Sequence, residues 1–287
     1  MIPDDASPLP GTEVHLVESR AVADEFKVLL GHCGDTVSSP PATLWLTDAN
    51  GTFGAAVDVI RGLQLEAHLP PMLVVGIGYR RGPLLDTLDL RTRDLTPTVD
   101  PAHSRRLPTQ PRTGGAPAFL SFIRDELMPW VGARVSFDPN TTTFFGHSFG
   151  GLFGCWTVLS APTTFTRYIC ASPSLWWDGH AVPALLDALL DAPLARDVRG
   201  RVHLVAGEYE DPAGRHREVA HLPPEPAAAE LLSVDLLGDA RAFADRLAAL
   251  RAPGCEVSFE TLPGEFHISV APLALSRGLR AVFDAPR

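Results

Sequence analysis

The sequence predicts an α/β protein, a mostly parallel central sheet flanked by helices, and three observations predict it. Short apolar runs alternate with segments of helical period along most of the chain, the pattern of a sheet wrapped by helices. Runs such as Met72-Leu73-Val74-Val75-Gly76-Ile77 are apolar at successive positions, as a strand buried inside such a sheet must be. The 287 residues, 45% hydrophobic and 20% charged, suffice for one large core. A single domain over 1–287 accounts for the whole pattern.

Taken in order, Val14–Val17 and Phe26–Leu30 read as two strands of a hairpin. Thr43–Leu46 is a third strand, ended by the turn-prone Asp48-Ala49-Asn50-Gly51. A helix over roughly Phe53 to Ala67 leads to the strand Met72–Ile77. Residues 80–117 carry many Pro, Thr, Arg and Gly with little periodicity, an excursion long enough to suggest a functional loop. Ala118 to Val131 resumes as a helix, with Phe119, Leu120, Ile123, Leu127 and Val131 on one face. Then come the strand Thr142–Phe145, a tight turn, and a helix from Gly151 to Leu159. Strand Arg167–Cys170, helix Val182–Leu190 and strand Val202–Ala206 follow. A Pro- and His-rich loop at 211–226 is a candidate lid before the helix Ala227–Leu250. Strand Val257–Glu260 and a final helix through Phe283 complete the fold.

Composition excludes several function classes. The formal net charge of −10 disfavours phosphate backbones, so no nucleic-acid partner is expected. No run approaches eighteen apolar residues, and the opening Met1-Ile2-Pro3-Asp4-Asp5 is unlike a signal peptide. A cytoplasmic protein without a membrane partner is the expectation. Cys33, Cys155, Cys170 and Cys255 are scattered among apolar neighbours, and no CxxC pair or zinc spacing occurs. They read as buried free thiols, with no metal and no cofactor implied.

Chemistry concentrates at Gly146-His147-Ser148-Phe149-Gly150. Alone, G-x-S-x-G is a weak signal. Here it follows the strand Thr142-Thr143-Phe144-Phe145 and precedes an apolar helix, the context of a nucleophile elbow in an α/β-hydrolase fold. The glycines let the chain turn sharply and approach itself, and the helix N-terminus favours negative charge developing beside Ser148. A serine hydroxyl needs a base. His267, after the last strand and before the final helix, stands where the order serine, acid, histidine requires it. His147 should point away from the serine and pack or hydrogen-bond locally. His203, inside a strand, reads as a satisfied core histidine, and His216 and His221 as surface residues. The acid belongs after Ala206, where Glu208, Glu210 and Asp211 all qualify.

Several segments resemble one family. Leu46-Thr47-Asp48-Ala49-Asn50, Val75-Gly76-Ile77-Gly78-Tyr79, Arg91-Thr92-Arg93-Asp94-Leu95-Thr96-Pro97, Gly146 to Gly151, Ala171-Ser172-Pro173-Ser174-Leu175-Trp176-Trp177 and Pro263 to Ser269 are similar to the Putative esterase family of α/β-hydrolases. That family includes esterase-D-like and siderophore esterases. The resemblance implies Glu210 as the acid, three residues beyond the glycine that ends its strand, although some siderophore esterases work with a Ser–His pair. It also implies an oxyanion hole formed by the backbone N–H groups of Phe149 and Ala49, the latter standing where the family usually has glycine.

The excursion holds Arg80, Arg81, Arg91, Arg93, Arg105, Arg106 and Arg112, a locally basic stretch suited to carboxylate or catecholate oxygens. Arg91 is also a candidate partner for Asp94. Of Trp176 and Trp177, one should pack in the core and the other wall the pocket. Arg91, Trp176, Trp177 and Tyr79 are the candidate substrate-binding residues. The expected activity is that of a serine carboxylic-ester hydrolase working through an acyl-enzyme on a small-molecule ester, by resemblance a siderophore-like oligoester or lactone. An acyltransferase or thioesterase of the same fold is the second reading. A non-catalytic binding protein is the third, and the intact serine, acid and histidine argue against it.

Overall fold

The computed structural model describes residues 9–35, 39–66, 68–101, 103, 112–190, 197–219 and 234–284. Eight strands form one sheet in the order β1-β2-β4-β3-β5-β6-β7-β8. β1 (Thr12–Ser19) and β2 (Asp24–Cys33) make the expected antiparallel hairpin, and β2 pairs antiparallel with β4 (Met72–Tyr79). The remaining pairings are parallel and bring in β3 (Ala42–Leu46), β5 (Thr142–His147), β6 (Arg167–Ala171), β7 (Gly200–Gly207) and β8 (Cys255–Leu262). This is the α/β-hydrolase arrangement. The connection after β3 runs to one side of the sheet and that after β5 to the other. A crevice therefore opens between their carboxyl ends, where ligands bind in such sheets.

Every residue of β3 and β4 is buried, because both faces of the sheet are covered. Alternate side chains serve opposite layers. Leu44, Leu46, Val74 and Phe145 pack under α1 (Ala49–Leu65), while Trp45, Leu73, Val75 and Phe144 pack on the opposite face. α1 buries Phe53, Ala56, Val57, Ile60 and Leu63, a helical-period stripe. Removing a ring such as Trp45 or Phe153, both fully buried, would cost about 3–5 kcal/mol.

The excursion after β4 departs from the expected loop. A 3-10 turn at Leu84–Thr87 leads into α2 (Leu88–Leu95), a polar helix held by tertiary ion pairs. The helix α3 runs as Ala116–Ser121, a π turn over Phe122–Leu127, and Met128–Gly132. All five residues of its expected apolar face are buried. The π turn also buries Phe122, whose ring stacks on Phe26 at 4.5 Å. α4 (Phe149–Ser160) is buried along nearly its whole length.

α5 (Trp177–Leu190) begins earlier than its apolar pattern suggests. Asp178, Gly179 and His180 all have positive φ, so a left-handed turn precedes the regular helix. α6 (Pro212–Val219) takes up the first part of the candidate lid, and residues 220–226 lie outside the described residues. α7 (Leu236–Ala249) starts later than the helix expected from Ala227, because Asp235 caps it and accepts from the Gly238 N–H; residues 227–233 lie outside the described residues. α8 (Val270–Phe283) closes the chain beside α1.

Candidate active site

Ser148 sits between β5 and α4 with φ 60° and ψ −116°, a strained conformation for a residue with a side chain. Two glycines permit it. A Cβ on Gly146 would collide with the Gly150 carbonyl, and one on Gly150 would lie 2.5 Å from the Thr47 hydroxyl. The absence of side chains thus lets the elbow close on itself and lets the loop after β3 press against it. The Ser148 N–H donates to the Ala171 carbonyl at 2.9 Å, and its own carbonyl accepts from Leu152 and Ser174.

His267 and Glu210 arrive from the far side of the sheet. Nε2 of His267 lies 3.1 Å from the Ser148 hydroxyl, and Nδ1 lies 2.6 Å from Oε1 of Glu210. A carboxylate only accepts, so Nδ1 carries the hydrogen and Nε2 presents its lone pair to the serine. Glu210 is fully buried, and three donors stabilise it there: His267, the Gly207 N–H at 2.6 Å and the Ser172 hydroxyl at 2.5 Å. The other two acids are engaged elsewhere. Glu208 accepts from the Gly264 N–H, and Asp211 from the Gly214 N–H at the start of α6. Among the three carboxylates, Glu210 is the one the fold brings to His267.

His147 bonds the backbone of His267, 120 residues along the chain, and not the Ser148 hydroxyl. Its Nε2 donates to the His267 carbonyl at 2.6 Å, and the two imidazoles sit 4.7 Å apart. Burial, then the nearby charges of His267 and Arg91, push the His147 pKa well below the usual histidine value and keep it neutral. His203 is a core histidine but only half satisfied: Nδ1 bonds the Ser258 hydroxyl at 2.8 Å, Nε2 finds no hydrogen-bond partner among the described residues, and burial lowers its pKa to about 4. His221, Arg105 and Arg106 lie outside the described residues.

Phe149 and Ala49 are the first residues of α4 and α1, and helix geometry leaves such N–H groups without intrahelical acceptors. Both residues are buried at the crevice between β3 and β5. Alanine at 49 carries no backbone strain, because the positive φ of this turn falls on Asp48 instead. Its methyl is received by Gly76, where any Cβ would come within 2.9 Å of it.

A cavity of about 580 Å³ opens over Ser148 and His267. Trp176 and Phe149 wall it, Leu85 and Leu88 stand at its exposed rim, and Arg215 reaches it from α6. Two of the candidate substrate-binding residues, Tyr79 and Trp177, lie outside the cavity. Tyr79 is buried outside the cavity against Phe26, and burial, then the neighbouring Asp94 carboxylate, pushes its phenol well above the usual range. Trp177 is the core member of the tryptophan pair, fully buried, its indole N–H donating to Thr98. Arg91 does line the cavity, but its Nε and Nη2 donate to the two oxygens of Asp48, both at 2.9 Å. The expected partner Asp94 is held instead by Arg93, which also bonds Asp24.

Ser174, His103 and Leu236 also line the cavity, and no local motif marks them for that role. Ser174 places its hydroxyl 3.3 Å from that of Ser148. His103 packs on Trp177 at 4.8 Å. Ser174 was visible only as part of a family-like segment, and the others reach the site from elements distant in the chain.

Comparison with known proteins bears on what this site serves. The Putative esterase family profile matches residues 90–255. Ferri-bacillibactin esterase BesA of Bacillus subtilis is 30% identical over 96% of this chain and 91% of its own length. The chain belongs to the Putative esterase family. A siderophore enterobactin esterase of Emericella nidulans is 35% identical over 52% of this chain and 51% of that protein. The solved structure of the siderophore hydrolase EstA from Aspergillus nidulans superposes with a TM-score of 0.76 at 25% identity, covering 96% of both chains.

Proposed function

We propose that this esterase is a serine hydrolase that cleaves a siderophore-like oligoester or lactone through an acyl-enzyme. The observation that carries the mechanism is the unbroken hydrogen-bonded chain from Ser148 through His267 to the buried Glu210. His267 Nε2 takes the serine proton as Oγ attacks the ester carbonyl, and Glu210 stabilises the imidazolium that forms. The negative charge on the carbonyl oxygen is met by the N–H groups of Phe149 and Ala49. His267 then returns the proton to the leaving alkoxide. Water, activated by the same imidazole, attacks the acyl-enzyme and releases the acid.

The relatives named for ferri-bacillibactin and enterobactin support a siderophore ester as substrate. The cavity supports an acyl or alcohol part with aromatic rings, since Trp176 and Phe149 offer flat apolar faces and arginines stand near them. Among the described residues, no feature favours acyl transfer or a non-catalytic role over hydrolysis.

A fluorophosphonate probe should label the wild type and leave Ser148→Ala unlabelled. Hydrolysis of p-nitrophenyl acetate should vanish in both Ser148→Ala and His267→Ala. Persistent labelling of Ser148→Ala would overturn the nucleophile assignment. A panel of ferric catecholate and hydroxamate esters, lactones and acyl thioesters tests the substrate class, and preference for the thioesters would overturn it.

A further inference from the structure

Arg91 faces the cavity, yet its chemistry is directed inward. Its guanidinium grips Asp48 with two parallel bonds of 2.9 Å, and both side chains are nine-tenths buried or more. Burial works against the charge on Arg91, but Asp48 outweighs it and holds the group above its ordinary range. The same guanidinium lies over the Phe149 ring, 5.4 Å from its centroid. Asp48 immediately precedes α1 and carries the positive φ that turns the chain into it. Phe149 begins α4. One cation therefore touches the side chain next to one oxyanion donor and the side chain of the residue that supplies the other.

From this we infer that the Asp48–Arg91 pair is a positioning device for the oxyanion hole, rather than a subsite for substrate anions. The inference rests on the serine-hydrolase reading above. α1 and α4 come from strands β3 and β5, and no covalent link near the site fixes their N-termini relative to each other. Contact between the two turns is close, since Gly150 lacks the side chain that would strike Thr47. Close contact alone leaves the turns free to slide. A planar, two-point ion pair anchored on a third element, α2, fixes both angle and distance. Donors that must meet a developing oxyanion within a few tenths of an ångström need such a constraint. Arg91 thereby gives the basic excursion a role unlike substrate capture. It brings α2 into the site as the brace of the two helix N-termini.

The test compares Asp48→Asn, Arg91→Met and the double variant Asp48→Asn/Arg91→Met with the wild type, which must first show fluorophosphonate labelling that Ser148→Ala lacks. Failure of that control sinks the serine reading itself; the clamp is tested only once it passes. Each single variant should then lose about ten- to hundredfold in kcat toward neutral p-nitrophenyl acetate with little change in KM. Affinity for a trifluoromethyl ketone, which forms a tetrahedral oxyanion on Ser148, should fall in parallel. The double variant leaves no unpaired buried charge, so it should melt near the wild-type temperature while remaining as slow as the singles. Its loss should be far smaller than the product of the single losses. Wild-type kcat in a folded double variant would overturn the inference. So would a defect confined to KM and to anionic esters, the signature of an arginine that binds substrate.

Discussion

Two buried carboxylates flank Ser148, and they are held in opposite ways. Asp48 is locked by Arg91, a cation that never gives up its proton at any working pH. Glu210 is held by two neutral donors, Gly207 and Ser172, and leaves its remaining oxygen for an imidazole. The first arrangement is static. In the proposed mechanism the second stabilises a charge that appears only while the reaction runs. A carboxylate wired to a permanent cation serves geometry, and one wired to a titratable base serves the reaction coordinate. The sheet keeps the two apart, with Asp48 following β3 and Glu210 following β7.

The largest expected effect is on the responsive side. Glu210→Ala should reduce kcat by about 10³–10⁴-fold, because His267 loses both its orientation and the stabilisation of its charged form. A loss below tenfold in steady-state kinetics would mean that the Ser–His pair works alone and that the contrast fails. Next comes the static side: removing Arg91 alone strands the Asp48 charge, so Arg91→Met should also cost about 3–5 kcal/mol of stability. Chemical denaturation of Arg91→Met against the double variant measures that cost, and equal stabilities would break the picture of a charge-locked clamp.

Ser172→Ala tests how firmly Glu210 must be held. It removes one of two hydrogen bonds to Oε2 and should lower kcat by roughly tenfold, with about 1–2 kcal/mol lost in a denaturant melt. Ser172 has φ 43°, so the alanine inherits the same strain and the comparison stays clean. The smallest effect concerns pH. His203 is neutral in both states above pH 6.5, so there it contributes nothing to the pH dependence. Below 6.5 the unfolded chain binds a proton that the native His203 refuses until about pH 4. Stability should therefore fall by up to about 3 kcal/mol as pH drops through that window, and His203→Asn should flatten the slope without changing kcat at neutral pH. An unchanged slope would assign the acid sensitivity to another group.

The responsive side of the site was legible in the sequence, and the static side was not. Ser148 announces itself through glycines at fixed local spacing, and His267 through its place after the last strand, so chain order alone finds them. Glu210 needs either family likeness or the fold itself, because Glu208 and Asp211 satisfy the same spacing. The clamp is invisible for a different reason. α2 carries few apolar residues, and two of its ion pairs run to Asp48 and Asp24, 43 and 69 residues away. No periodicity records such bonds. The same holds for the left-handed turn at Asp178–His180, where only Gly179 hints at the backbone. The central strands are predictable because their apolar runs are local and the sheet buries both of their faces, whereas the edge strands β1 and β8 stay partly exposed.

The bond between His267 and Ser148 spans 119 residues of chain, and this has a consequence for synthesis. A ribosome adding about 5–20 residues per second finishes the nucleophile's elbow roughly 6–24 s before it delivers the base. Under the proposed mechanism, Ser148 lacks its base until β8 pairs with β7 and the turn carrying His267 is in place. On the proposed mechanism, hydrolysis therefore waits for β8 and the turn that follows it, and would report their arrival.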